Sequence, residues 1–189
     1  MTENRRRFVV QEPGDVWIFA YGSLLWDPGF EPAETRPALL RGWHRCFCVS
    51  SRIYRGTPET PGLSLGLDRG GSCRGEALRI AEKDRGAVLA YLEEREMPEE
   101  IYSVRPIKLA TDGGALAAHT LTVNRDHPLY VSGLGLEASA ARIAAGVGKR
   151  GANSDYLAQT VAHLDTLGIH DAALHRLLDR VRETASRGI

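Results

Sequence analysis

The stretch that decides how this chain is read is DVWIFAYGSLLW, Asp15 to Trp26. From Asp15 to Tyr21 it is rich in β-branched and aromatic residues, the pattern of a short core strand. Gly22 and Ser23 then break the run where the strand should end. A glycine at that point can take a backbone conformation closed to other residues and let a ligand come close to the main chain. Successive N–H groups of such a turn point outward and cradle an anion. On the residues alone, the competing reading is a tight turn with Trp26 as a packing anchor.

Working outward, Arg45–Ile53, Leu63–Leu67, Ser72–Ile80, Ser103–Ala110 and Ala115–Val123 read as further strands bounded by Gly or Pro. Asp112-Gly113-Gly114 is a hairpin turn signal, and Pro106 marks an edge or a bulge. After Leu136 the apolar period changes to that of helices, with long runs from Ser154 and from Asp171. In the run from Ser154, Leu157, Val161, Leu164 and Leu167 form an apolar stripe. Asn153 or Ser154 supplies its N-cap and Gly168 its end. Strands followed by helices, with no repeat and no low-complexity linker, predict an α+β fold. The 189 residues fit a flexible N-terminal arm over 1–15 and a single domain over 16–189.

Lys and Arg together number 24 and so do Asp and Glu, so there is no basic field to attract nucleic acid or an anionic membrane. The expected partner is a small molecule. No long apolar run or apolar N-terminal signal segment appears, and a cytoplasmic protein is expected. Arg5–Arg7 reads as a solvated tail. Three cysteines, an odd number, argue against a disulfide framework. In WHRCFC, a strand would put His44, Cys46 and Cys48 on one face, but a structural zinc wants four ligands and no second cluster lies nearby. These are read as small buried side chains, and no metal is expected. Cys73 has no base beside it in sequence to make it a nucleophile.

One helix interrupts the β pattern: EKDRGAVLAYLEEREM, Glu82 to Met97, with Asp84 as its expected N-cap. Val88, Leu92 and Glu96 recur every four residues and share a face. Glu93 and Glu94 fall on other faces and read as solvated. Glu96 continues the apolar stripe, where desolvation would raise its pKa and make it a usable base. The alternative is an exposed glutamate, or a partner for Arg95, at a fraying helix end.

YGSLLW, the segments HRCFC and RGTPETPGLSLGLDRGGSCRG, YLEEREM and the closing DYLAQTVAHLDTLGIHD occur in this order between Val16 and Leu178. Together they resemble the ChaC-like γ-glutamylcyclotransferases. The resemblance implies a compact mixed fold around a small β-barrel, no metal or organic cofactor, and conversion of glutathione to 5-oxoproline and cysteinylglycine. It places the family's YGSL loop on Tyr21, Gly22, Ser23 and Leu24, extended by Leu25 and Trp26, its catalytic glutamate on Glu96, and a further tyrosine on Tyr102. The stretch between Glu96 and Tyr102 is often glycine-rich in relatives, whereas here it is MPEEI. The chemistry implied is intramolecular: the substrate's α-amine attacks its own γ-carbonyl, so no enzyme nucleophile is needed. Arg52 and Arg55, in the loop SSRIYRGTPETPG, are candidates to receive the far carboxylate of glutathione, against a merely solvated basic loop. Two other functions stay open: a cyclotransferase for other γ-glutamyl amino acids or amines, and a non-catalytic γ-glutamyl-binding regulator of cation transport. Retention of Glu96 favours an enzyme.

Overall fold

A computed structural model describes residues 8, 10, 13–97 and 100–187. Contacts divide the chain into two units, Met1–Arg45 with Leu67–Asn124 and Cys46–Gly66 with Arg125–Ile189. The closed barrel takes its strands in the order β1 (Val16–Ala20), β3 (Gly62–Ile80), β2 (Glu34–Ser51), β4 (Tyr102–Thr111), β5 (Gly114–Val123). It is mixed: β1 lies antiparallel to β3, with Ala20 opposite Glu76, and parallel to β5, with Ile18 opposite His119. The α+β class and the small mixed barrel are as expected.

Alternation along the strands builds two apolar layers in the first unit. Phe19, Ala38, Leu40, Leu67, Cys73, Ala77, Leu109 and Ala118 form one, drawn from all five strands and no helix, so it fills the barrel. Val16, Ile18, Ala20, Leu78, Ile80 and Leu121 point the other way and pack with Leu89 and Leu92 of helix α1 (Arg85–Glu96) and with Leu24. Phe8 and Val10 are buried in this second layer. The rest of the expected arm before Pro13, Arg5–Arg7 included, lies outside the described residues.

Several boundaries differ from expectation. Leu63–Leu67 and Ser72–Ile80 are one strand, because Gly70 and Gly71, among the glycines read as strand boundaries, take left-handed backbone (φ 103° and 68°) within it. Glycine in such a position bends a strand without ending it. β2 begins at Glu34, well before Arg45. The Asp112–Gly114 hairpin joins β4 to β5 as read, with Thr111 opposite Gly114.

In the second unit, helices α2 (Leu136–Ala145), α3 (Asn153–Thr166) and α4 (Ala172–Arg187) pack on one another, and the short strands β6 (Val147–Gly148) and β7 (Gly151–Ala152) pair before α3. Leu157, Val161 and Leu164 are buried as the stripe requires, but Leu167 follows the last helical residue and is 42% exposed. Asn153 does not cap α3. Its side chain is fully buried and bonds the main chain of Leu63 twice, accepting from N–H at 2.6 Å and donating to C=O at 2.8 Å. A buried amide with a strand to satisfy is worth more there than at a helix end open to water. Ser154 lies inside the helix, and Gly168 ends it at φ 68°. The cysteines are thiols; Cys48 and Cys73 are buried, whereas Cys46 and His44 are only half-buried, contrary to the reading of all three WHRCFC positions as core.

Candidate active site

After Ala20 the chain turns through a short 3-10 segment, Ser23–Leu25. Leu25 N–H donates to Gly22 C=O at 2.9 Å and Asp27 N–H to Ser23 C=O at 2.8 Å. The Ser23 and Leu24 amides precede Leu25, the first donor of the turn, and no partner for them is found among the described residues. Two donors are thereby presented at the strand end. Gly22 enters the turn at φ −136° and ψ −134°. The entry to the turn is fixed by Arg45, buried in β2, whose guanidinium donates to Tyr21 C=O at 2.5 Å and Arg74 C=O at 2.6 Å.

Helix α1 brings a second arginine to the same turn. Arg95 donates to Ser23 Oγ at 3.2 Å, Tyr91 Oη at 2.9 Å, Asp27 C=O at 2.7 Å and Glu96 Oε1 at 2.9 Å. Its side chain is 11% exposed and that of Glu96 20%. Burial opposes the guanidinium's charge, but the bond to Tyr91 and the fields of Glu96, Tyr91 and Asp27 outweigh it, and the Arg95 pKa is raised. Tyr91 reaches this position only because residue 29 is glycine: at φ 75°, a Cβ there would lie 1.9 Å from the Tyr91 hydroxyl oxygen. Glu96 is thus half-buried, as the apolar stripe implied, at the last residue of an unfrayed helix, and it is paired with Arg95, as the alternative reading had it. Asp84 makes no side-chain capping bond to α1. Glu93 is half-buried and accepts from Phe8 N–H at 3.2 Å, so of the two glutamates read as solvated only Glu94 is exposed.

The structure therefore joins Ser23 and Glu96 through Arg95. Leu24 is buried in the layer beneath α1, with Leu25 and Tyr102 packed against it, so Leu24 supports the turn more than it walls a cavity. Tyr21 packs on the barrel-filling layer instead, and Trp26 is half-buried. A groove of about 420 Å³ lined by Leu39, Arg41, Lys108 and Thr111 holds none of these residues. Arg55 belongs to the second unit, where its guanidinium lies 4.5 Å from the centre of the Tyr156 ring and donates to Arg150 C=O at 2.6 Å. Burial, above all, lowers its pKa. In the same unit Arg142 donates to Ser50 Oγ and the Pro61 and Gly62 carbonyls, and burial and then Arg52 lower its pKa. Sequence reading missed Arg45, Tyr91, Gly29 and the role of Arg95. An arginine inside the apolar run HRCFC was the one available signal; the partners of Arg95 lie too far off in sequence to be read.

The model of the ChaC-like protein family matches residues 16–184. The chain belongs to the ChaC-like family. It is 37% identical over 173 residues to the glutathione-specific gamma-glutamylcyclotransferase of Escherichia coli strain K12, covering 91% of this chain and 75% of that protein. It is 31% identical over 182 residues to gamma-glutamylcyclotransferase 2-3 of Arabidopsis thaliana, covering 90% of each. A yeast γ-glutamyl cyclotransferase specific to glutathione has the same fold, with a TM-score of 0.82 at 21% identity over 90% of this chain and 96% of that one. Among the described residues, no helix of this ChaC-like chain is long and apolar enough to cross a membrane.

Proposed function

We propose that the chain is a γ-glutamylcyclotransferase that cleaves glutathione to 5-oxoproline and cysteinylglycine, with Glu96 as proton acceptor and donor. One observation carries the reading: Arg95 holds the Glu96 carboxylate and the Ser23 hydroxyl together in a ChaC-like chain whose relatives bear that activity in their names. The α-ammonium of the γ-glutamyl group gives a proton to Glu96, and the freed amine attacks the γ-carbonyl carbon. A bond forms between the α-nitrogen and that carbon, Glu96 returns the proton to the cysteine nitrogen as the amide bond to cysteine breaks, and the second proton, given up by the ring nitrogen after attack, passes by way of Glu96 to the same amine, which departs as an ammonium. No water is consumed. The Ser23 and Leu24 amides suit the α-carboxylate or the oxyanion, and oxyanion donors of this kind contribute about 3–4 kcal/mol. General acid–base catalysis by a positioned carboxylate contributes about 10²–10⁴ in rate.

Tyr21, Gly22, Leu25, Trp26 and Tyr102 are proposed to shape the γ-glutamyl site. Arg55 is proposed to receive the far carboxylate, since the bonds found for it and for Arg142 run to neutral carbonyls and a hydroxyl. The proposed setting is the cytoplasm and the proposed partner a small molecule, not nucleic acid, given the equal numbers of basic and acidic residues. Activity on other γ-glutamyl compounds is the second reading, favoured by the Arabidopsis relative whose name specifies no glutathione. The deciding experiment incubates purified protein, with chelator present, with glutathione or γ-glutamyl-alanine and measures 5-oxoproline. Glutathione is expected to be the better substrate, with Arg55→Ala raising KM for glutathione alone. Equal turnover of both would support the broader reading, and recovery of intact glutathione would support a binding regulator.

A further inference from the structure

Glu76 stands on β3 opposite Ala20, the last residue of β1. Around it the strand alternates. Cys73 and Ala77 point into the barrel, and at Gly75 a Cβ would meet the Phe19 ring and Ala20 C=O, the latter at 2.2 Å. Leu78 and Ile80 point to the layer under α1, which Ala20 shares. Glu76 therefore lies on the α1 side, where Ala20 hands the chain on to Tyr21, Gly22 and Ser23. Arg95 ties Glu96 to that same short segment, so two carboxylates converge on it from different elements.

Their electrostatics differ. Glu96 has Arg95. Glu76 is half-buried, and no hydrogen bond or ion pair to its carboxylate is found among the described residues. Of the cations in the vicinity, Arg74 is exposed two residues away on the same face, and Arg45 donates to the carbonyls of Tyr21 and Arg74. Burial raises the Glu76 pKa, with no opposing cation in the balance. A carboxylate left in this state destabilises the empty protein, and a bound cation relieves it.

We propose that Glu76 is the counter-ion for the substrate's α-ammonium group, holding the amine end of the γ-glutamyl moiety while Glu96 takes its proton. The inference rests on the γ-glutamyl reading above and adds the residue that selects a free α-amine. Glu76 exchanges no proton in the reaction. Its contribution is made to binding, so it acts on KM more than on kcat.

The test compares parent, Glu76→Gln and Glu76→Asp with glutathione as substrate and with glutaryl-cysteinylglycine, which keeps the carboxylate but lacks the amine, as inhibitor. A charge-assisted bond of ordinary strength predicts that Glu76→Gln raises KM for glutathione about 10- to 100-fold with kcat within a few-fold. Glu76→Asp should fall between, and inhibition by the amine-free analogue should stay within about twofold throughout, since no ammonium is lost. Unchanged KM overturns the inference, as does equal weakening of glutathione and analogue, or a fall in kcat alone. A parent that turns over glutathione with any of those results refutes Glu76 only. A parent that does not turn it over refutes the γ-glutamyl reading and this inference with it.

Discussion

Replacing Arg95 by methionine keeps the bulk of the side chain and removes every donor. Four bonds go: those to Ser23 Oγ, Tyr91 Oη, Asp27 C=O and Glu96 Oε1. Water can replace the one to the Asp27 carbonyl, since the residue is exposed. The Ser23 and Tyr91 hydroxyls lose about 1 kcal/mol each, and Glu96, half-buried without its cation, adds about 1–2 kcal/mol. A total of about 3–4 kcal/mol should appear as a fall in Tm of about 6–16 °C. The kinetic effect is separate. Without Arg95 the Ser23 turn and the Glu96 carboxylate are no longer held at a fixed distance, and misplacement of about 1 Å costs up to about 100-fold in rate. Arg95→Lys can restore the ion pair to Glu96 but not the fork that reaches the two hydroxyls, so it should recover part of the stability and little of kcat. Thermal melting and kcat and KM for 5-oxoproline release measure the two effects apart. Parental Tm and kcat in Arg95→Met would refute the claim that this guanidinium organises the site.

Three further outcomes follow from the structure. Asn153→Ala removes both bonds to the Leu63 main chain and leaves buried groups unpaired, costing about 2–5 kcal/mol in urea unfolding; a loss under about 1 kcal/mol would contradict the double bond. Glu100, in the MPEEI stretch where relatives are often glycine-rich, has φ 54°, so Glu100→Gly should stabilise the fold by about 0.5–1 kcal/mol, and a destabilised variant would contradict the strained backbone. Because the folded pKa of Glu76 is raised above its ordinary 4.5, its contribution to stability is lost as pH rises from below that value through the folded pKa. Glu76→Gln should therefore match the parent's Tm near pH 4 and exceed it at pH 7, and a gap that shrinks with rising pH would contradict the sign.

The strand-then-helix order, the β4–β5 hairpin and the α1 stripe were legible because each rests on local periodicity or a local turn. Gly70 and Gly71 misled because the same glycines that end a short strand also bend a long one. Asn153 misled because capping is a local preference, and the Leu63 backbone that claims its amide lies far away in sequence. At the site, Ser23 and Glu96 were legible through family resemblance. Arg95 was read only as an alternative partner of Glu96, since its bonds to Ser23 and Asp27 exist only after β1 and α1 pack through Ala20, Leu24 and Leu92. Glu76 was invisible, because half-burial without a partner is a property of the assembled sheet.

The central claim is that Glu96 moves the proton that closes the ring. Single-turnover release of 5-oxoproline from saturating glutathione, compared between the parent and Glu96→Gln with Glu94→Gln as the exposed control, tests it most directly. The account predicts a fall of about 10²–10⁴ for Glu96→Gln with the fold intact and a control within a few-fold of the parent. Parental turnover in Glu96→Gln would contradict it.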